Sequence, residues 1–238
     1  LMHNLKIIYD REMKMFFNTP MAYIFLGVFV IANGYFFTTT FFLIKQSDLR
    51  QLFDIISWIY IIFVPAITMG LIAKENGSGT IEIIATLPVK NSEYVLGKYL
   101  AALSLIGVGL FITMFHYFTL LNVGTNIDHG AILSGYFGLL LLGGLYAAIG
   151  LFFSSLTNNQ VIALIASASL AFSFFLLGKM LIFMPSWMSQ FIQYLSIDFH
   201  LSNITRGVID SRNIIYFGSL IWFFLSMTSQ TISKSKWS

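Results

Sequence analysis

Residues 131–156 read AILSGYFGLLLLGGLYAAIGLFFSSL, a run without a single charged side chain. A bilayer core is crossed by about 20 apolar residues in a helix, so this stretch is long enough to span it. Gly143, Gly144, Ala147, Ala148 and Gly150 lie within it. Small residues at this density let helices approach closely in lipid. The run therefore reads as a membrane helix packed among others.

Working outward, the same kind of stretch recurs along the 238 residues. After a short polar turn, residues 160–183 form the next span. They too are rich in small residues: Ala163, Ala166, Ser167, Ala168, Ser169, Ala171 and Ser173. These could serve packing within one subunit or a seam between two subunits that involves this span. Toward the N-terminus lie spans over 97–121, 52–73 and 20–44, and a sixth covers 213–232. Pro20 suits a first helical position, where its missing N–H costs nothing, and Pro65 predicts a kink in the second span.

Composition agrees with this reading. The chain is 57% hydrophobic and 10% charged, against about 25% charged in a soluble domain. The expected fold is all-α: one polytopic domain over 1–238 with six transmembrane helices. Cysteine is absent, which excludes disulfides, thiolate metal sites and a cysteine nucleophile. Lys6, Arg11 and Lys14 precede the first span, yet no small-residue cleavage site follows a short apolar core, so a cleaved signal peptide is not expected.

Residues 1–19 predict an amphipathic helix lying along the membrane surface. Leu5, Ile8, Tyr9, Met13 and Phe16 fall on one face; Lys6, Asp10, Arg11 and Lys14 fall on the other. Glu12 projects onto the apolar side. It reads either as a carboxylate snorkelling to water, or as a partner contact or salt bridge at the mouth of the bundle.

Loop charges orient the bundle. With the N-terminus in the cytoplasm, the inner side receives Lys6, Arg11, Lys14, Lys74, Lys90, Lys98, Lys234 and Lys236, and the outer side Lys45, Arg50, Lys179, Arg206 and Arg212. The positive-inside rule favours this arrangement, and an even number of spans puts both termini in the cytoplasm. The outer loop 184–212 carries Trp187, Phe191, Tyr194, Leu195 and Phe199. Aromatic residues favour the interface, so the loop is expected to lie at the outer surface or to dip partway in.

The inner loop reads ENGSGTIEIIATLPV from Glu75 to Val89. Gly77 and Gly79 permit a sharp reversal after the second span. Thr80 or Ser78 can cap a new helix, and Glu82 complements its dipole. Ile81, Ile84 and Leu87 line one face, and Pro88 ends it. Asn91 or Ser92 then caps the third span. The expected product is a short surface helix held between two spans, a lever that a soluble protein could push.

This segment resembles the coupling-helix motif of ABC-2 type permeases, through Glu75, Gly79, Thr80, Glu82, Leu87 and Pro88, followed by Gly97-Lys98. Arg11-Glu12, residues 17–23 and the stretch 199–212, with Thr205-Arg206-Gly207-Val208-Ile209-Asp210, resemble that family too. The likeness extends over nearly the whole chain and is nearest to gliding-motility-associated permease subunits of the GldF type, with nitrous-oxide-related permeases next. The resemblance implies a bacterial inner-membrane permease with a separate cytoplasmic ABC ATPase. That ATPase would dock on the coupling helix (Glu75, Gly79, Thr80, Ile81, Glu82, Ile84, Leu87, Pro88) and on the turn Thr157, Asn158, Asn159 and Gln160, which here carries no charge. Arg11 and Glu12 would form an N-terminal interface. It also implies a second permease half-unit, as a homodimer or heterodimer, and for the gliding type an auxiliary subunit with an extracytoplasmic domain.

The chain itself has no nucleotide-binding G-x-x-x-x-G-K-[ST] run; Gly97-Lys98 is followed by Tyr99. ATP and magnesium would sit on the partner, with no cofactor or metal held here and no nucleic acid bound. An intramembrane protease is disfavoured, because neither a Gly-x-Ser-Gly motif with a helix-borne histidine nor paired intramembrane aspartates are present. His116, alone within a span, reads as a packing residue; Asn33 and residues 38–40 could line a conduit or bond a neighbouring helix. A path so poor in charge suits an amphiphile, a polymer or mechanical work better than inorganic ions. A structural anchor of an envelope machine is the competing function.

Overall fold

A computed structural model describes residues 2–43, 48–80, 89–124, 127–180 and 185–235, and every regular element among them is helical. In chain order these are α1 (Met2–Asn18), α2 (Pro20–Thr38, continued by a π-helical turn over Thr39–Leu43), α3 (Arg50–Thr68), α4 (Gly70–Gly77), α5 (Asn91–Thr113), α6 (Phe115–Val123), α7 (His129–Leu156), α8 (Gln160–Met180), α9 (Ser186–Leu195), α10 (Ile197–Thr205) and α11 (Ser211–Ser235). Among the described residues, five stretches are long and apolar enough to cross a membrane: Pro20–Phe41, Arg50–Gly77, Asn91–Val123, His129–Leu156 and Gln160–Met180. The sixth expected span lies within α11, which is not among the five. Ser219, Ser226, Thr228, Ser229, Gln230 and Thr231 dilute its apolar character.

The charge-free run quoted above becomes α7, the hub of the bundle. It packs against α3, α4, α5, α8, α10 and α11. Its small residues are buried within the subunit, Gly143, Gly144, Ala147, Ala148 and Gly150 among them. The contacts show why. A β-carbon at Gly135 would lie 2.1 Å from the Phe53 ring, and one at Gly150 would lie 1.9 Å from Oγ1 of Thr68. One at Gly144 would lie 2.7 Å from the Tyr99 hydroxyl. Helices α3 and α5 thus press on α7 to a distance that no larger residue permits. By contrast, α8 buries one narrow stripe, Ala163, Ser167, Ala171 and Phe175. Val161, Ile162 and Ile165 beside that stripe remain exposed.

The predicted kink in the second span occurs one turn beyond Pro65. Helix α3 closes at Thr68, and α4 starts at Gly70. The Ser154 hydroxyl of α7 splices this break: it accepts from the N–H of Ile72 (3.1 Å) and Ala73 (2.9 Å) and donates to the Met69 carbonyl (2.8 Å). The third span begins at Asn91, earlier than the expected residue 97, and it divides at Met114. At its start, Glu93 accepts from the Lys90 N–H at 3.2 Å, taking the capping role expected of Asn91 or Ser92. At the division, the Tyr136 hydroxyl donates to the Thr113 carbonyl (2.9 Å), while Thr113 bonds back to Leu110.

The expected outer loop contains two helices. Phe191 and Tyr194 of α9 are exposed, at 71% and 61%, as an interfacial segment requires. Helix α10 instead enters the bundle. Ile197, Leu201 and Ile204 are buried, and the last two lie against Gly138 of α7. Gly138 is about 14 Å along α7 from His129, at 1.5 Å per residue, so α10 reaches well below the rim. It ends on Gly207, whose φ of +91° suits a residue without a side chain. His200, also buried, bonds Asn213 (2.7 Å) and the Tyr194 carbonyl (2.9 Å) and stacks on Tyr216, tying α9, α10 and α11 together.

Three of the polar residues considered for a conduit donate within their own helix, while the buried Oδ1 of Asn33 has no hydrogen-bond partner among the described residues. Thr38 donates to the Gly34 carbonyl, Thr39 to Phe36, and Asn33 to Phe29, all within their own helix. His116 stacks on Phe37 with ring centroids 4.4 Å apart, in keeping with a packing role.

Candidate functional site

At the end of the bundle where α4 stops and α5 and α8 start, five polar side chains from three segments converge. Helix α1 contributes Arg11 and Glu12, α4 contributes Glu75, and α5 contributes Tyr94 and Lys98. The Lys98 ammonium is fully buried. It donates to Glu12 Oε1 at 2.9 Å, to Glu75 Oε1 at 3.0 Å and to the Leu71 carbonyl at 2.6 Å. That uses all three of its donors. Arg11 reaches the same two carboxylates, at 2.6 Å and 2.5 Å. The Tyr94 hydroxyl donates to Glu75 Oε2, and Lys98 also lies over the Tyr94 ring. Burial acts to lower the Arg11 pKa, but the hydrogen bonds and charges of Glu12 and Glu75 outweigh it and hold it above its ordinary value.

Helix α1 can supply these groups because it lies directly on α5. A β-carbon at Gly97 would fall 2.8 Å from Ile8 Cγ2 and 3.2 Å from the Leu5 carbonyl oxygen. Tyr9 donates to Ser104 (3.0 Å), and Asn4 to Glu93 (3.3 Å), extending the seam. The apolar face of α1 thus meets protein, and Glu12, 1% exposed, is part of that buried face. Of its two readings, the salt bridge describes its surroundings. Lys98, counted above among the inner-side cations, is a buried ion-pair member and not an interfacial charge.

The reversal after α4 uses its glycines for two different reasons. Gly79 has φ +70°, a left-handed conformation that favours glycine. Gly77 is a close approach: a β-carbon there would lie 2.9 Å from the Asn158 carbonyl oxygen. Ser78 and Thr80 each donate to the Glu75 carbonyl at 3.3 Å. Asn76 donates to the carbonyls of Ser155 and Thr157, both at 3.3 Å. The end of α4 and the turn between α7 and α8 are therefore one continuous surface.

Glu75, Gly79 and Thr80 lie on this surface, with Thr157, Asn158, Asn159 and Gln160 alongside; Arg11 and Glu12 sit on its α1 flank. Ile81, Glu82, Ile84, Leu87 and Pro88 lie outside the described residues. Sequence reasoning singled out Glu12, Glu75 and Lys98 separately but did not join them, and it missed Tyr94 and Asn76. The available signal was a carboxylate on an apolar helix face and a lysine within an apolar run, two charges that each need a buried partner.

Residues 5–214 match the profile of the ABC-2 family transporter proteins. The chain belongs to the ABC-2 transporter family. Membership makes it a multi-pass membrane component of a transport system, of a generally non-catalytic kind, and implies association with an ABC ATPase and a lipid bilayer. The match extends over the whole of the charged cluster and the α4 reversal, as well as the α9–α10 pair. No curated protein matches this ABC-2 chain.

Proposed function

We propose that the chain is the permease subunit of an ABC transporter and receives mechanical work from a separate cytoplasmic ATPase at residues 75–88 and 157–160, of which 75–80 and 157–160 form one surface. The observation that carries this reading is the adjacency of Gly77 and Asn158, which joins two segments far apart in sequence into one exposed patch. A push on that patch bears on α4. Through Glu75 and Lys98 it bears on α5, through Arg11 and Glu12 on α1, and through Ser154 on α7. Four elements would then move together.

Helix α11 is the sixth span in this reading. Asn213 near its start bonds His200 among the outer helices. Ser229 and Gln230 near its end share a cavity wall with Ser92 at the start of α5, beside the charged cluster. These contacts support a helix that runs the full height of the bundle, and with the N-terminus in the cytoplasm an even number of spans puts the C-terminus there too. A second permease half-unit completes the pathway, and the bacterial inner membrane is its location. Export of an amphiphile or polymer, or mechanical work for gliding motility with an extracytoplasmic auxiliary subunit, is the finer assignment, which rests on the sequence resemblance. An anchor of an envelope machine without solute transport is the alternative.

Co-purification tests the reading. The ABC ATPase encoded nearest to this chain should co-purify with the wild type. It should be lost with Gly79→Pro, Asn158→Trp or Glu82→Ala while the membrane level of the permease is unchanged. Retention of the ATPase by all three variants would refute docking at this patch. ATP hydrolysis by the ATPase, stimulated in vesicles by the wild-type permease, separates a transporter from an anchor.

A further inference from the structure

Beside the charged cluster, a cavity of about 270 Å³ opens between α1, the start of α2 and the α3–α4 break. Its walls are apolar, formed by Phe16, Met21, Ile67, Met69 and Leu71. Glu12, Glu75 and Lys98 close one end, and Lys74 and Gln160 also line it. Met15, Thr19 and Lys74, all exposed, form its rim.

Two features define what fits. First, the cavity reaches Pro20 and Met21 at the start of α2, a helix long and apolar enough to cross a membrane, whose Tyr23 and Ile24 are exposed at 62% and 63%, a surface that acyl chains cover in a bilayer. Second, the charges at its closed end are balanced: Glu12 and Glu75 face Arg11 and Lys98. Lys74 is left over, with no ion pair among the described residues. An apolar slot with one excess cation at its mouth complements an anionic amphiphile.

We infer that this cavity holds one acyl chain of an anionic phospholipid from the leaflet on the α1 side, with the lipid phosphate at Lys74. The occupied site wedges α1 against the α3–α4 break, so the lipid acts as a structural ligand of the charged cluster. The inference requires only that the chain sits in a bilayer. It is independent of ATPase docking, and either can fail without the other.

The probe is phosphatidylglycerol carrying a photoactivatable diazirine on its acyl chain, incorporated with the full chain into phosphatidylcholine vesicles. Adducts mapped by mass spectrometry should concentrate on Met15, Met21 and Met69, above those on the exposed Phe118 and Val123 of α6. Lys74→Gln should lower that labelling about fivefold, the weight of one basic residue at an anionic surface, and leave labelling by the phosphatidylcholine analogue unchanged. Met21→Trp, which fills the slot, should abolish labelling by both. Labelling no greater than on α6, or equal labelling in Lys74→Gln, would overturn the inference. So would competition by inorganic phosphate, which would mark a simple anion site, or loss of labelling at high protein density, which would mark the slot as covered by a second copy.

Discussion

The ammonium of Lys98, fully buried on α5, lies 2.9 Å from a carboxylate oxygen of Glu12, 1% exposed on α1. The two residues are 86 positions apart in sequence. Their contact fixes how the N-terminal helix sits on the bundle. Removing one member of such a pair strands a charge, whereas removing both is often tolerated. Lys98→Met should therefore destabilise the protein by about 3–5 kcal/mol, and Lys98→Met with Glu12→Leu should cost clearly less than the two single changes summed. A double-mutant cycle on thermal unfolding in detergent reads this out. Strict additivity would show that the pair is not coupled.

Gly97 predicts the same seam from its steric side. Gly97→Val places a branched side chain where Ile8 and the Leu5 carbonyl already sit. Helix α1 should lift from α5. Because the chain has no cysteine, a pair introduced as Tyr9→Cys and Ser104→Cys, whose native hydroxyls bond at 3.0 Å across the length of the tyrosine ring, reports the separation through a short bis-thiol-reactive linker. Cross-linking should be rapid with Gly97 present and strongly slowed with Gly97→Val. Unchanged cross-linking would show that α1 does not depend on this close approach.

Ser154→Ala removes three hydrogen bonds at the α3–α4 break. The stranded N–H groups of Ile72 and Ala73 should cost about 1–3 kcal/mol. Hydrogen exchange should rise locally at residues 69–74. A variant with wild-type stability and exchange would mean that the break is held by other contacts.

Gly150→Ala brings a β-carbon within 1.9 Å of Thr68 Oγ1. Overpacking of this kind costs about 1–3 kcal/mol. Combining it with Thr68→Ala removes the clashing oxygen and should recover part of the loss. Absence of any recovery would indicate that the helices separate as rigid bodies.

Arg212→Cys and Lys234→Cys, at opposite ends of α11, should be labelled by a membrane-impermeant maleimide from opposite sides of sealed vesicles. Labelling of both from one side would refute the crossing of α11.

The sequence by itself determined that the chain is a membrane helix bundle, because long charge-free runs such as residues 131–156 have no stable place in water. It determined the reversal after the second span, since Gly77 and Gly79 interrupt the apolar run there. It also set the α1 pattern apart as amphipathic, and it singled out Glu12 as a charge on the wrong face. Only the tertiary structure decided what Glu12 meets, because a helical repeat specifies a face but not the partner that will cover it. The same limit hid the start of α5: counting apolar residues opened the third span at residue 97, with Lys98 as an inner-side charge, whereas the helix starts at Asn91 and burial against Glu12 and Glu75 lets it carry that lysine inside. The inward course of α10 was one of two alternatives that the sequence left open, since the match of Leu201 and Ile204 with Gly138 is made across more than 60 residues of chain. Pattern records the affinity of a segment for lipid or water; pairing between distant charges, and between a glycine and the side chain that fills its gap, exists only once the helices have met.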